Sequence, residues 1–101
     1  MSDYYDKAGN PIDLREYARL RGDEAYSRID RTTIGDVTVS TVWLGLNHQY
    51  GNGAPIIFET MVFGGELDGE QTRCATEAEA VAGHAAMVAR VYALRATQVQ
   101  A

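Results

Sequence analysis

Two apolar, β-branched runs separated by a polar loop constrain the fold of this chain more than any other stretch. The runs cover residues 36–46 and 55–63, and both are rich in Val, Ile, Thr and aromatic side chains. The loop 47–54 between them is polar and contains Gly51 and Gly53. Because β-branched and aromatic residues suit a pleated, half-buried surface and glycines favour turns, we predict a long β-hairpin over Val37 to Phe63.

Capping signals predict two helices that flank this hairpin. Asp13 stands three residues before Glu16, in the pattern of a capping box, and predicts a helix over residues 13–21. Thr76 stands in the same relation to Glu79 and predicts a second helix that runs to about residue 96. The core-facing stripe of this second helix is predicted to contain Ala78, Val81, Ala85, Val88 and Tyr92, broadened by His84 and Val91.

Two peripheral strands complete the predicted fold. Residues 25–33 alternate imperfectly and carry charges, as edge strands often do, and residues 70–75 form a short returning strand. A chain of 101 residues with 46% hydrophobic and 23% charged residues is typical of one folded domain. We therefore predict a single α+β domain over residues 1–101. It comprises an antiparallel sheet of three to five strands packed against a long C-terminal helix and a short N-terminal helix.

The charge of the chain disfavours nucleic acid as a partner. The formal net charge is −5 and the pI is about 4.8, whereas a nucleic-acid binder normally presents a basic patch to the phosphates. The order helix, three strands, helix also resembles a double-stranded-RNA-binding domain. The acidic charge, and the lack of a basic loop before the last helix, argue against that activity.

The sequence also predicts a soluble, cytoplasmic protein that does not bind a membrane. The longest uninterrupted apolar run is far shorter than the roughly 20 residues that cross a bilayer, and the N-terminal residues lack a signal-peptide pattern. Cys74 is the only cysteine, so an internal disulfide is excluded. We expect Cys74 to be a small packed residue rather than a reactive thiol.

The densest polar cluster lies at the predicted hairpin tip. Two histidines and a carboxylate, contributed by the tip, the returning strand and the long helix, are residue types that bind metals or transfer protons. Their spacing matches no paired-ligand motif, so we predict no catalytic residue, no metal and no cofactor, and hence no enzyme. Instead of a catalytic or metal-binding role, His84 would then form a hydrogen bond where the long helix meets the sheet. A small-ligand or metal site at the tip is the second functional hypothesis.

An excess of apolar side chains on the hairpin favours a binding role. Residues 43–46 are apolar on both faces of the predicted strand, so helices or a partner must cover both. Aromatic residues are also enriched at interfaces. We expect a protein partner or self-association as a homodimer, unless the N-terminal arm covers the second face. The candidate binding residues are Trp43, Asn47, His48, Gln49, Tyr50, Glu59 and His84.

Four segments that together cover most of the chain resemble a known group of proteins. They are Tyr4 to Ile12, Ser40 to Gly51 with STVWLGLNH, Pro55 to Gly65 with IFETMVF, and Thr76 to His84. They are similar to small uncharacterised proteins of actinobacterial phages and prophages. The resemblance implies a phage setting, the cytoplasm of a bacterial host and no catalytic residue. We therefore expect an accessory protein that binds a host or phage protein and modulates host functions or defence.

Overall fold

The computed structural model describes residues 3–49 and 51–100, the last three of them by their backbone only. Nine helices and strands are found in this part of the chain. They are β1 (Tyr4–Tyr5), β2 (Pro11–Ile12), α1 (Leu14–Arg21), α2 (Glu24–Ser27), β3 (Arg28–Ile34), β4 (Val37–Trp43), β5 (Phe58–Phe63), β6 (Gln71–Cys74) and α3 (Glu77–Gln100). The predicted α+β fold is confirmed.

The predicted hairpin is the centre of a four-stranded antiparallel sheet. The strand order is β3-β4-β5-β6, so β4 and β5 are the two inner strands. Val39 stands opposite Val62 and Trp43 opposite Phe58 in this register. The small sheet β1-β2 extends the central hairpin, because the backbone N–H of Tyr5 donates to the carbonyl of Gly45 at 2.8 Å.

Caps set the start of each helix. The Thr76 hydroxyl accepts from the backbone N–H of Glu79 at 3.1 Å, and the Glu79 carboxylate accepts from the backbone N–H of Thr76 at 3.1 Å. This reciprocal pair confirms the capping box of α3. At α1 the Asp13 side chain caps Glu16 at 2.9 Å, but the Glu16 carboxylate binds Arg19 instead of returning to Asp13.

The segment 25–33 differs from the prediction of one continuous strand. Its first residues belong to the helical turn α2, and β3 begins only at Arg28. The cause is a second cap, because the Asp23 side chain accepts from the backbone N–H of Tyr26. Aspartate before a short helical turn satisfies donors that would otherwise have no partner, and this local bond outweighs the weak alternation of the sequence.

One face of the sheet is covered by α3, and the core lies between them in two clusters. The first cluster contains Ile34, Val37, Val39, Val62, Met87 and Val91, and the second contains Leu20, Trp43, Ile57, Phe58 and Ala80. The N-terminal arm packs on the second cluster, around Trp43. It does not enclose the other face of the sheet, where Phe63 is 51% exposed.

The core-facing stripe of α3 differs from the predicted one. The buried side chains are Ala80, His84, Met87 and Val91, whereas Ala78 and Ala85 are exposed, and Val81 and Tyr92 are 55% and 57% exposed. The core-facing positions of His84 and Val91 are confirmed, and Val88 is partly buried against the first cluster, whereas Ala78, Val81, Ala85 and Tyr92 face outward. The helix is apolar on both sides, so periodicity alone does not distinguish the two stripes.

Within the described part of the chain, no helix is both long and apolar enough to cross a membrane.

Candidate functional site

A row of polar side chains crosses the interface between α3 and the sheet. Oγ1 of Thr41 lies 2.6 Å from Oγ1 of Thr60 and 2.8 Å from Nδ1 of His84, while Nε2 of His84 lies 2.8 Å from Oγ1 of Thr32. His84 therefore joins α3 to two strands, which confirms the structural alternative for this residue. A neutral imidazole offers one donor and one acceptor, and the hydroxyls can supply the complementary groups.

This row resembles a hydrolytic triad in its order of groups but not in its accessibility. Asp30 Oδ2 lies 3.6 Å from Nε2 of His84, so a carboxylate, an imidazole and the Thr41 hydroxyl follow one another. Thr41 is 0% exposed and Thr60 is 3% exposed. Because a nucleophile must reach its substrate, the row serves the core rather than catalysis in this conformation.

The polar residues of the hairpin tip hold the tip itself together. Oδ1 of Asn47 accepts from the backbone N–H groups of Gln49 at 2.8 Å and Ile56 at 3.0 Å. The side chain of Gln49 donates to the carbonyl of Ala54 at 3.3 Å. These side chains therefore replace the strand ladder where the hairpin widens.

His48 contributes to the tip through its backbone rather than through its side chain. The backbone N–H of His48 donates to the carbonyl of Ile56 at 2.9 Å, and its imidazole is partly exposed. Tyr50 lies outside the described residues.

The candidate residues Glu59 and His84 lie on opposite faces of the sheet. Glu59 accepts from Nε of Arg73 at 2.9 Å on the face away from α3, and this pairing satisfies the carboxylate that interrupts the apolar strand. His84 lies under α3. Among the described residues, no three His, Cys, Asp or Glu side chains are grouped so that they could hold a metal ion.

Trp43, predicted to contact a partner, is a core residue in the structure. Its side chain is 0% exposed and contacts the rings of Tyr17 and Tyr26, at centroid distances of 5.9 Å and 5.0 Å. The indole N–H donates to the carbonyl of Tyr5 at 3.0 Å. An indole with all its surface buried has none left for a partner, so the apolar character of Trp43 is used within the fold.

The face of the sheet away from α3, which we call the open face, combines apolar and basic side chains. Its apolar residues are Val42, Met61 and Phe63, which lie on the two central strands. Its charged residues are Arg28, Arg31, Glu59 and Arg73, placed in register beside them. Because Glu24 pairs with Arg28 and Glu59 with Arg73, the excess positive charge of this face is that of Arg31, on a chain whose net charge is −5.

The arginines of the open face differ in their pairing. Arg73 binds Glu59, and Arg28 binds Glu24 of α2. The Arg31 side chain has no ion pair among the described residues. A free guanidinium beside exposed apolar surface is suited to bind a carboxylate of another molecule. The alternation of strand residues puts Glu59, Met61 and Phe63 on one face, so the sequence carries a signal for this face.

Comparison with protein-family models, with curated proteins and with solved structures finds no match to this chain.

A groove of about 350 Å³ lies between the edge strand β6 and α3. Thr72 and Cys74 line its sheet side, while Gly83 and Ala86 line its helix side. Burial raises the pKa of the Cys74 thiol, and the nearby Glu79 carboxylate raises this pKa further. A raised pKa reduces the thiolate fraction at neutral pH, so Cys74 is poorly suited to be a nucleophile.

Proposed function

We propose that this protein is a small accessory protein of phage-like DNA that acts without catalysis, by binding a host or phage protein through the open face of its sheet. The phage setting rests on the resemblance of the sequence segments given above. The binding role is supported by one structural observation, the contrast between the two faces of the sheet.

The two faces differ in whether their polar and apolar side chains find partners within the chain. Under α3 the polar groups bond to one another, and each buried side-chain nitrogen or oxygen in the described residues has a hydrogen-bond partner. On the open face Phe63 is 51% exposed, and the unpaired Arg31 shares a row across the sheet with Ser40 and Met61, two residues along from Phe63. Exposed aromatic, methionine and arginine side chains are the types enriched in protein interfaces.

The charge of the open face selects the kind of partner. Arg31, the arginine of this face without an ion pair among the described residues, favours an acidic protein surface, and the acidic remainder of the chain repels one. Electrostatic complementarity of this kind acts mainly on the association rate and on orientation. We therefore expect the partner to present carboxylates around an apolar contact.

Capture from a bacterial host lysate tests this proposal with a matched pair of variants. Phe63→Asp places a charge on the open face, whereas Leu14→Asp makes the same change at a similarly exposed apolar residue of α1. The wild type and Leu14→Asp should enrich the same protein, and Phe63→Asp should lose it. The proposal is wrong if nothing is enriched above a tag-only control, or if both variants capture equally.

A further inference from the structure

The outward side of α3 carries an apolar stripe that the single chain leaves exposed. Between Glu79 and Arg90 this helix has no Asp, Glu, Lys or Arg. A helix that is apolar on all sides is normally buried on all sides, but the sheet covers only one side of α3. We call the exposed residues the outer stripe, which comprises Ala78, Val81, Ala82, Ala85, Ala89, Tyr92 and Ala96.

The charges of α3 are arranged in two lines that run along the helix. Glu77 and Arg95 are eighteen positions apart, about five turns, and Glu79 and Arg90 are eleven positions apart, about three turns. Each glutamate therefore shares a line with an arginine. One line flanks the outer stripe on each side, with the acid near the N-terminus of α3 and the base toward its C-terminus.

We propose that two copies of this chain associate through their outer stripes, with the α3 helices antiparallel and crossing near Ala85. In this arrangement Glu77 lies beside Arg95 of the other copy, and Glu79 lies beside Arg90 of the other copy. A parallel pair would instead bring glutamate to glutamate and arginine to arginine. Because the charges complement themselves only in the antiparallel orientation, a second copy of the chain is the occupant that this surface fits.

The sizes of the side chains favour the same orientation. Tyr92 is the largest residue of the outer stripe and lies near its C-terminal end, whereas Ala78 and Ala82 lie near its N-terminal end. Antiparallel pairing places Tyr92 against the small residues of the other copy, and alanine at the crossing lets the helices approach closely. Parallel pairing would place Tyr92 against itself and leave gaps elsewhere, which dense interface packing disfavours.

The charged residues already make contacts within the single chain. Arg95 binds Asp36 at 3.2 Å and Arg90 binds Glu70 at 3.3 Å, and these pairs are solvent-exposed. Exposed pairs contribute little to stability, and an arginine has five donors with which to hold a second carboxylate. These contacts therefore do not oppose the pairing between copies.

The molar mass in solution, measured by light scattering during gel filtration, tests the proposed interface. The wild type should have the mass of two 11.1 kDa chains. Ala85→Glu places a carboxylate at the crossing and should raise the dissociation constant of the dimer by about a hundredfold or more. Ala25→Glu is the matched control, at an exposed alanine of α2, and should leave the mass unchanged.

A mixing experiment tests the orientation. Glu77→Arg and Arg95→Glu should each weaken self-association, because each creates like-charged pairs across the interface. An equal mixture of the two variants should recover the dimer, since every flanking pair is then again oppositely charged. In a parallel dimer residue 77 would lie beside residue 79 of the other copy and residue 95 beside residue 90, so the same mixture would keep two like-charged pairs. Cysteines introduced at 77 in one copy and at 95 in the other therefore cross-link only in the antiparallel dimer.

Three results would overturn the inference. They are a mass of one chain up to millimolar concentration, a dimer that survives Ala85→Glu, and a dimer in which cysteines at 77 of one copy and 95 of the other do not cross-link. The inference does not rest on the proposed function, because Phe63 lies on the opposite face of the sheet. Loss of capture by Phe63→Asp and loss of the dimer by Ala85→Glu are therefore separate outcomes.

Discussion

The two faces of the four-stranded sheet differ in how many of their side chains are buried or have bonding partners within the chain. The face under α3 holds two apolar clusters separated by a row of bonded hydroxyls and one imidazole. The open face holds the exposed Phe63, the half-buried Val42 and Met61, and a guanidinium that has no ion pair among the described residues. The difference indicates that residues with familiar catalytic chemistry serve the fold here, whereas the less conspicuous face is available for binding.

The largest expected effect is at the aromatic end of the covered face. Trp43→Ala removes a fully buried indole and its hydrogen bond, and should lower the free energy of unfolding by about 3–5 kcal/mol. Phe63→Ala, the corresponding change on the open face, should cost less than about 1 kcal/mol. Urea denaturation of both variants measures the contrast, and similar losses would show that the faces are equivalent in stability.

The polar row should give the next largest effect. His84→Ala leaves the hydroxyls of Thr32 and Thr41 without their imidazole partner and should cost about 2–3 kcal/mol. Adding Thr41→Val to His84→Ala should cost less than the sum of the two single changes, because the second change removes a hydroxyl that has already lost its imidazole partner. A double-mutant cycle by urea denaturation measures this coupling. Strict additivity would argue against a shared network.

These contrasts also show what the sequence could and could not predict. The hairpin and the cap of α3 follow from short-range chemistry, and the structure contains both. A carboxylate in an apolar strand requires a polar partner, and Glu59 has one in Arg73. The side of α3 that packs on the sheet could not be predicted in this way. The stripe that contains Val81 and Tyr92 is as apolar as the stripe that contains Met87 and Val91. Only the packing of the helix against the sheet selects between them.

The candidate site was harder to predict for a similar reason. Because tryptophan is frequent at interfaces, the sequence favours Trp43 as a contact residue for a partner. The N-terminal tyrosines that bury Trp43 are distant in sequence, so local patterns do not reveal its burial. Asn47 and Gln49 are polar residues in a loop, and nothing in their spacing indicates that they bond to the loop backbone itself. Arg31 and Met61 share a row of the open face only through the pairing of three strands.

A smaller effect is expected at the one ion pair that lies within the open face. Glu59→Gln removes the charge that binds Arg73 and should change the free energy of unfolding by less than about 1 kcal/mol. It also leaves the open face more basic, so association with an acidic partner should become faster at low salt. Surface plasmon resonance at two ionic strengths measures this rate. Slower association would contradict an acidic partner.

The smallest expected effect is on the reactivity of Cys74, which lies on the edge strand β6. Because burial, followed by Glu79, raises the pKa of the Cys74 thiol, its alkylation at a fixed neutral pH should be slower in the folded chain than in urea. The pH of half-maximal rate should therefore lie above that of the unfolded chain. Glu79→Gln should lower this half-maximal pH part of the way toward the unfolded value, and glutamine can still cap the helix. A half-maximal pH at or below the unfolded value would contradict the assigned environment.

Methionine methyl groups test the difference between the two faces most directly, because Met61 lies on the open face and Met87 is 3% exposed under α3. Carbon-13 labelling of the methyl groups gives each residue its own signal, and a soluble paramagnetic agent broadens signals that solvent can reach. We predict strong broadening of the Met61 signal and little broadening of the Met87 signal. Equal protection of both would contradict an open face, and stronger broadening of Met87 would reverse the assignment of the two faces.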